Sequence, residues 1–441
     1  MKHVLKKSFL GLSILVASQN VFAVDFLQAY ELAKKNDPDI LAAAFEFHAV
    51  LSMRSQTRSA LLPNLTLDVF AQQVEQSSNS PTSFISSFGD FGTTGYAVSL
   101  TQSIYSHDLY LKLEQTDINI AAALTNFDAQ KQALIVRVAE AYYNVLAAGD
   151  NLAFAQAEKK AIGQQLKQTK SRFDVGLIAI TDVKESQAQY DLSIASEIQA
   201  ENLLFSNRET LLSIIGELPA SLNALSKQIP LIVPQPANID QWVETAKKNN
   251  LALKSANYSY DIANKQISIE RSGHYPSLGL SLSHDNTRLD PENSGNIDSD
   301  DTTISLNLSI PIYSGGLTSA KTKQAVLLKS RSKALREKTL RETIKLSRDS
   351  YLGITAAIAQ VNAYKQALIS TQSAYEATQA GFEVGTRTSV EVLAALRKQY
   401  GAERDYARTR YDYILNILRL KQAAGILSTQ DVVQINQWLK H

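Results

Sequence analysis

The sequence contains no cysteine. Disulfide staples, Cys-based zinc sites, thiol catalysis and a lipidated N-terminal Cys are therefore excluded. Proline and glycine are scarce, at 10 and 18 of 441 residues, which favours long uninterrupted helices. Neither sign of charge is in excess: 44 Lys+Arg stand against 43 Asp+Glu, a formal net charge of +1. A nucleic-acid binder carries a basic excess on one domain, so no nucleic acid is expected as a partner. Beyond the first residues, no apolar run is long enough to cross a bilayer as a helix. Any membrane role must use strands. Catalytic signatures are missing too. No G-x-S-x-G, P-loop or dinucleotide fingerprint occurs, and His3, His48, His107, His274, His284 and His441 show no ligand spacing. The expectation is a protein that is not an enzyme, with no cofactor and no metal.

What is present begins with an address. Lys2, Lys6 and Lys7 precede the short apolar stretch from Phe9 to Ala17, and Val21-Phe22-Ala23 offers small residues for cleavage. Residues 1–23 read as a signal peptide; an uncleaved anchor is the other reading, but the run is short for a spanning helix.

The rest is one unit written twice. Leu62-Pro63-Asn64-Leu65 returns as Tyr275-Pro276-Ser277-Leu278, at an offset of 213 residues. Ser103-Ile104-Tyr105 returns as Pro311-Ile312-Tyr313, at 208. Phe173-Asp174-Val175-Gly176 returns as Phe382-Glu383-Val384-Gly385, at 209. The expected repeats are 24–216 and 240–425, with a proline-rich connector at 217–239 and a closing segment at 426–441. Each repeat reads helix, strand, strand, long helix, turn, helix.

The long helices carry a seven-residue apolar repeat, which packs helices side by side. In the first it runs Ile120, Leu124, Phe127, Leu134, Val138, Ala141, Val145, Ala148; in the second, Leu340, Ile344, Tyr351, Ile354, Ile358, Val361, Leu368. Alanines on the other faces, such as Ala121-Ala122-Ala123, leave room for a second neighbour. Asp25–Ser59 and Thr181–Gly216 are each about half the length of Ser106–Val175, so two short helices stacked end to end match one long column.

Four strands are expected, at about 62–76, 93–105, 276–288 and 302–312. Leu65, Leu67 and Val69 alternate with polar residues, as do Leu278, Leu280 and Leu282, and Ile304, Leu306, Leu308, Ile310 and Ile312. That pattern fits transmembrane barrel strands, or a soluble sandwich with one wet face. Four strands cannot close a barrel in lipid, where open edges leave N–H and C=O groups unpaired, so several chains must pool them. The stretch 285–301 holds Asp285, Asp290, Glu292, Asp298, Asp300 and Asp301 against one Arg288. It reads as a solvated loop that could hold a cation.

These residues resemble the TolC family of outer-membrane efflux and secretion ducts. The resemblance rests on the duplicated halves, Leu62-Pro63, Pro311-Ile312-Tyr313-Ser314-Gly315-Gly316, Arg172-Phe173-Asp174-Val175-Gly176-Leu177 and Val384-Gly385-Thr386-Arg387-Thr388. It implies an α+β membrane protein: a homotrimer whose twelve-stranded barrel sits in outer-membrane lipid above a periplasmic tunnel of twelve helical columns. It also implies a belt built from 217–239 and the residues after Gly425, a periplasmic adaptor (membrane-fusion) protein, and an inner-membrane transporter of the RND or ABC type. A periplasmic coiled-coil scaffold or adhesin without a pore is the alternative.

The resemblance further places Gly176 and Gly385 in turns at the tunnel entrance. It implies a lock there of Thr181, Asp182 and Arg387. Phe382 replaces the expected Tyr, and a further contact would fall to Gln165 and Gln379. Of two acidic positions ringing the entrance, one is Glu391 and the other is Ala394.

Overall fold

The structure is a computed structural model and describes residues 23–75, 90–217, 219–226, 228–291 and 295–440; the expected signal peptide lies outside them apart from Ala23. The first repeat runs α1 (Phe26–Asn36), α2 (Pro38–Ser59), β1 (Asn64–Val74), β2 (Phe91–Ser106), α3 (His107–Asp174) and α4 (Ile180–Ile215). The second runs α5 (Ile239–Asn249), α6 (Leu251–Arg271), β3 (Ser277–Pro291), β4 (Ile297–Ser309), α7 (Leu317–Glu383) and α8 (Ser389–Ala423), followed by α9 (Thr429–Asn436).

Each opening helix is broken where the sequence pattern reads as continuous. Pro38 has no N–H to carry the helix on, and the buried Asp37 carboxylate caps the amides of Asp39 and Ile40. In the second repeat Asn250 caps Leu253 in the same way without a proline.

These breaks make the short columns. Asn36 Nδ2 donates to the Ile215 carbonyl at 2.8 Å, joining the end of α1 to the end of α4. Asn250 Nδ2 donates to the Ala423 carbonyl at 2.9 Å and joins α6 to α8. The chain leaves α8 through Gly425 at φ +71°, where an added Cβ would lie 2.2 Å from the Asn249 carbonyl oxygen. Beside these stacks run α3, with 68 residues, and α7, with 67; each is about 100 Å long at ~1.5 Å per residue. In the upper half α2 packs on α3, α3 on α6 and α6 on α7; in the lower half α4 packs on α3, α3 on α8 and α8 on α7. One chain is thus a wall four columns wide. Its free margins are α2 and α4 on one side and α7 on the other.

Those margins are apolar and bare. Phe45 on α2 is 71% exposed, Phe205 on α4 63% and Leu327 on α7 63%. The predicted α3 repeat is buried only from Leu134 onward, and Leu124 stays exposed. On α7, Ile354 and Val361 are buried together with the polar Ser347.

The main core lies at mid-height. Phe26, Tyr142, Tyr143 and Tyr411 pack there with ring centroids 5.4–5.9 Å apart. The segments around it are tied down by phenol groups. Tyr142 donates to the Asn223 carbonyl at 2.9 Å, while the Ile232 amide donates to Tyr413 Oη at 2.7 Å. Leu222 bridges Val24, Leu225 bridges Leu439, and Trp438 stacks on Tyr413. Burial pushes the Tyr142 and Tyr411 phenols well above their ordinary range, and the Asp150 carboxylate bonded to Tyr411 adds to its shift.

The strands form one antiparallel sheet in the order β1-β2-β3-β4. Its register aligns Leu67, Val98, His284 and Thr302 in one row, with Leu65, Leu100, Leu282 and Ile304 in the row below. The opposite face aligns Asp68, Ala97, Asp285 and Asp301. One face is therefore apolar at its lower rows and the other polar throughout that span. The strand ends correct the sequence reading. β3 and β4 pair as far as Leu289 and Ile297, so Asp285, Asp290, Asp298, Asp300 and Asp301 are strand residues rather than a loop. Arg288 pairs with Asp290 at 3.1 Å, and Glu292 lies outside the described residues. Among those residues no acidic or histidine group is placed to hold a metal ion. At its other end β4 stops at Ser309 rather than 312, because Pro311 cannot donate to the ladder.

Candidate functional site at the helical tips

The two long hairpins, α3–α4 and α7–α8, end in matching turns. Each needs a left-handed residue, and glycine supplies it: Gly176 has φ +76° and Gly385 has φ +81°. In the first turn Leu177 N donates to Arg172 O at 2.9 Å. In the second, Thr386 N donates to Gly381 O at 2.8 Å. Val175, Leu177 and Val384 point outward with 69%, 72% and 76% exposure, leaving apolar side chains at the extreme tip.

The starts of the two returning helices differ. At α8, Thr388 and Glu391 form a reciprocal capping box: Glu391 Oε2 accepts from the Thr388 amide at 2.8 Å, and Thr388 Oγ1 accepts from the Glu391 amide at 3.3 Å. The other carboxylate oxygen accepts from Arg387 Nη1 at 2.6 Å. The Thr388 amide and the Arg387 guanidinium hold the Glu391 carboxyl below its usual range. At α4 the N-cap is Ala179, which has no side chain to bond the first amides. Asp182 sits in that uncapped first turn, where the helix N-terminus favours a negative charge.

The expected lock residues are accordingly distributed. Arg387 is on Glu391, not on Thr181 or Asp182, because the box presents the Glu391 carboxylate one turn along the same helix. Thr181 lies exposed beside Asp182 on α4. Gln379 Nε2 reaches Glu383 at 3.4 Å rather than Gln165, and Gln165 Nε2 is buried without a partner. Phe382 is 2% exposed. It is covered by Arg172, whose guanidinium carbon lies 4.1 Å from the ring centroid and whose Nη1 donates to the Phe382 carbonyl at 3.1 Å. Sequence spacing gives no sign of this last contact, since the partners are 210 residues apart.

A four-column helical wall topped by an open-edged sheet with one apolar face defines a subunit of a membrane-anchored duct. The chain belongs to the outer membrane efflux protein family, whose model matches residues 29–217 and 242–426. It is 38% identical to the outer membrane protein TolC of Vibrio cholerae serotype O1, over 98% of each chain. It is 28% identical to the alkaline protease secretion protein AprF of Pseudomonas aeruginosa, over 96% of this chain and 89% of that one. The fold matches the crystal structure of the Campylobacter jejuni CmeC outer membrane channel with a TM-score of 0.77, at 15% identity, over 99% and 97% of the two chains. The protein is an outer-membrane exit duct of the efflux and type I secretion kind, reaching into the periplasm. The pore-free scaffold is set aside.

Proposed function

We propose that three copies of the chain close the duct, and that cargo enters at the helical tips from an inner-membrane RND or ABC transporter joined through a periplasmic adaptor. The observation that carries this reading is the matched pair of free margins. Among the described residues the sheet leaves the outer edges of β1 and β4 unpaired, and the helical wall leaves one side of α2, α4 and α7 uncovered on the same two margins. Unpaired strand edges are intolerable in lipid, so β4 of one chain takes β1 of the next. α7 then covers α2 and α4 of that neighbour. Three chains supply twelve strands and twelve columns. Leu65, Leu67, Val69, Ile304, Leu306 and Leu308 face outer-membrane lipid, and the Asp68 row faces the lumen.

At the periplasmic end, Val175, Leu177 and Val384 offer apolar contact to the adaptor. The entrance is held narrow by contacts between neighbouring tips. Thr181 and Asp182, whose side chains bond no partner among the described residues, accept donors from Arg387 of the adjacent turn, with Gln165 and Gln379 behind them. Glu391 and Arg387 set the charge at the opening. The mass of the detergent-solubilised protein, measured by light scattering, tests the assembly. A trimer that keeps its mass after mild heating is expected; a folded, monodisperse monomer refutes it.

A further inference from the structure

The tip is held together differently from the mid-height core. Its last apolar cluster is small: Ile162 on α3 with Leu393 and Leu396 on α8. Beyond it the interior is partly polar. Thr169, Ser186 and Ser389 are at most 1% exposed, and none of their hydroxyls has a hydrogen-bond partner. Buried hydroxyls without partners cost stability, so this seam binds the hairpins weakly. Arg397 crosses from α8 to Glu158 and Gln189, but on the equatorial side of the cluster. Closer to the tip, Arg172 makes the one polar contact between the two hairpins among the described residues.

That contact has two parts with different geometry. The guanidinium plane covers the Phe382 ring, and one N–H bonds the backbone carbonyl of the same residue. Only a planar, forked cation meets both demands; an ammonium reaches one or the other. The ring is nearly sealed from water, where the attraction between a cation and a π face is stronger than at an open surface. A tyrosine here would carry its hydroxyl into that sealed space, whereas phenylalanine leaves the ring face to the cation.

We propose that Arg172 is a positioning residue of the entrance. Clamped on Phe382, it sets the resting distance between the α3–α4 and α7–α8 turns of each chain. The proposal rests on the reading of the tips as the entrance. It adds a contact within each chain to the contacts between chains.

Single-channel recording of the full protein tests it, with Arg172→Lys, Arg172→Ala, Phe382→Leu and the Arg172→Lys, Phe382→Leu double variant. Arg172→Lys keeps the charge and nearly the volume, so it isolates the clamp from folding. Each single variant should raise the time spent in the larger-conductance state by about fivefold, the scale of one partly desolvated cation–π contact. The double variant should go no further than the stronger single one, because both loosen the packing of residue 172 on the ring at 382. Trimer heat stability should stay unchanged throughout. Unaltered conductance in both Arg172 variants, or additive effects in the double variant, overturns the clamp. Since the chain has no cysteine, Val175→Cys with Val384→Cys can be linked selectively by a bismaleimide. If linking closes the channel while the Arg172 variants behave as wild type, the tip is the entrance and the clamp alone is wrong. If linking leaves conductance unchanged, both readings fall.

Discussion

Replacing Glu391 by Gln should shift the ion preference of the entrance toward anions. Read from sequence, Glu391 is a lone acidic ring. In the structure each Glu391 carboxylate is matched by the Arg387 guanidinium at 2.6 Å, so a trimer carries three compensated pairs. Glu391→Gln removes three negative charges and leaves each Arg387 with only Asp182 of the adjacent turn as its acidic partner. The capping box survives, because Gln serves at that position as Glu does, and the helix start should hold. Three unit charges about 10 Å from a passing monovalent ion in water shift its energy by about 2 kT unscreened, and by a little under 1 kT at 0.1 M salt. Cations lose and anions gain, so the permeability ratio should move about fivefold toward anions. Arg387→Gln should move it the opposite way by a similar factor, whatever it does to conductance. Reversal potentials across a KCl gradient in planar bilayers measure both. The Thr388 amide and Arg387 keep the Glu391 pKa below its ordinary value of 4.5, so the change in wild-type selectivity as Glu391 protonates should be centred below that value. If both substitutions shift the reversal potential in the same direction, or neither shifts it, the paired-charge reasoning is wrong.

Arg387→Glu sets two carboxylates one helical turn apart and repels Asp182 of the adjacent turn; larger conductance and entry of large antibiotics through the outer membrane should follow, read by conductance and growth inhibition. Tyr413→Phe strips the Ile232 amide of its 2.7 Å acceptor and should cost about 1–3 kcal/mol in thermal unfolding. Gly425→Ala should be far more damaging than Gly176→Ala: both residues have positive φ, but a Cβ at Gly425 meets the Asn249 carbonyl oxygen at 2.2 Å while Gly176 faces open space. Comparing their melting temperatures checks the difference. Alkali should unfold the belt. Tyr142 and Tyr411 have raised pKa values when folded, so the unfolded chain ionises first near pH 10, and stability is complete below that pH and falls as pH rises past it. A denaturation midpoint that stays flat above pH 10 would contradict this.

The parts of the fold written in local pattern were legible. Alternation gave the faces of the strands, and the observed register sets Leu65 opposite Leu100 and Leu67 opposite Val98 on one side. The glycine turns at 176 and 385 were legible because only a left-handed residue can reverse the chain there. The column joints were not. Asp37-Pro38 is a visible break, but Asn250 performs the same act with no local mark, and its partner Ala423 is 173 residues away. The acidic run near 285–301 misled because charge density suggests a loop. Asp285 and Asp301 share the polar face of the sheet with Asp68, so they can stand opposite each other in a paired ladder away from the apolar face. At the tip, the family resemblance pointed to Arg387 and Glu391 but not to their pairing. Nothing in the spacing joined Arg172 to Phe382.

The two asparagine joints give the chain an unusual topology. Asn36 and Ile215 tie the first repeat into a loop of 179 residues, and Asn250 and Ala423 tie the second into one of 173. Each knot can form only after the whole of its loop has reached the periplasm, and contacts of that span are slow to find. The linker between the knots carries neither closure. A chain cut there still holds both pairs of loop ends, each asparagine on the same side of the cut as its carbonyl.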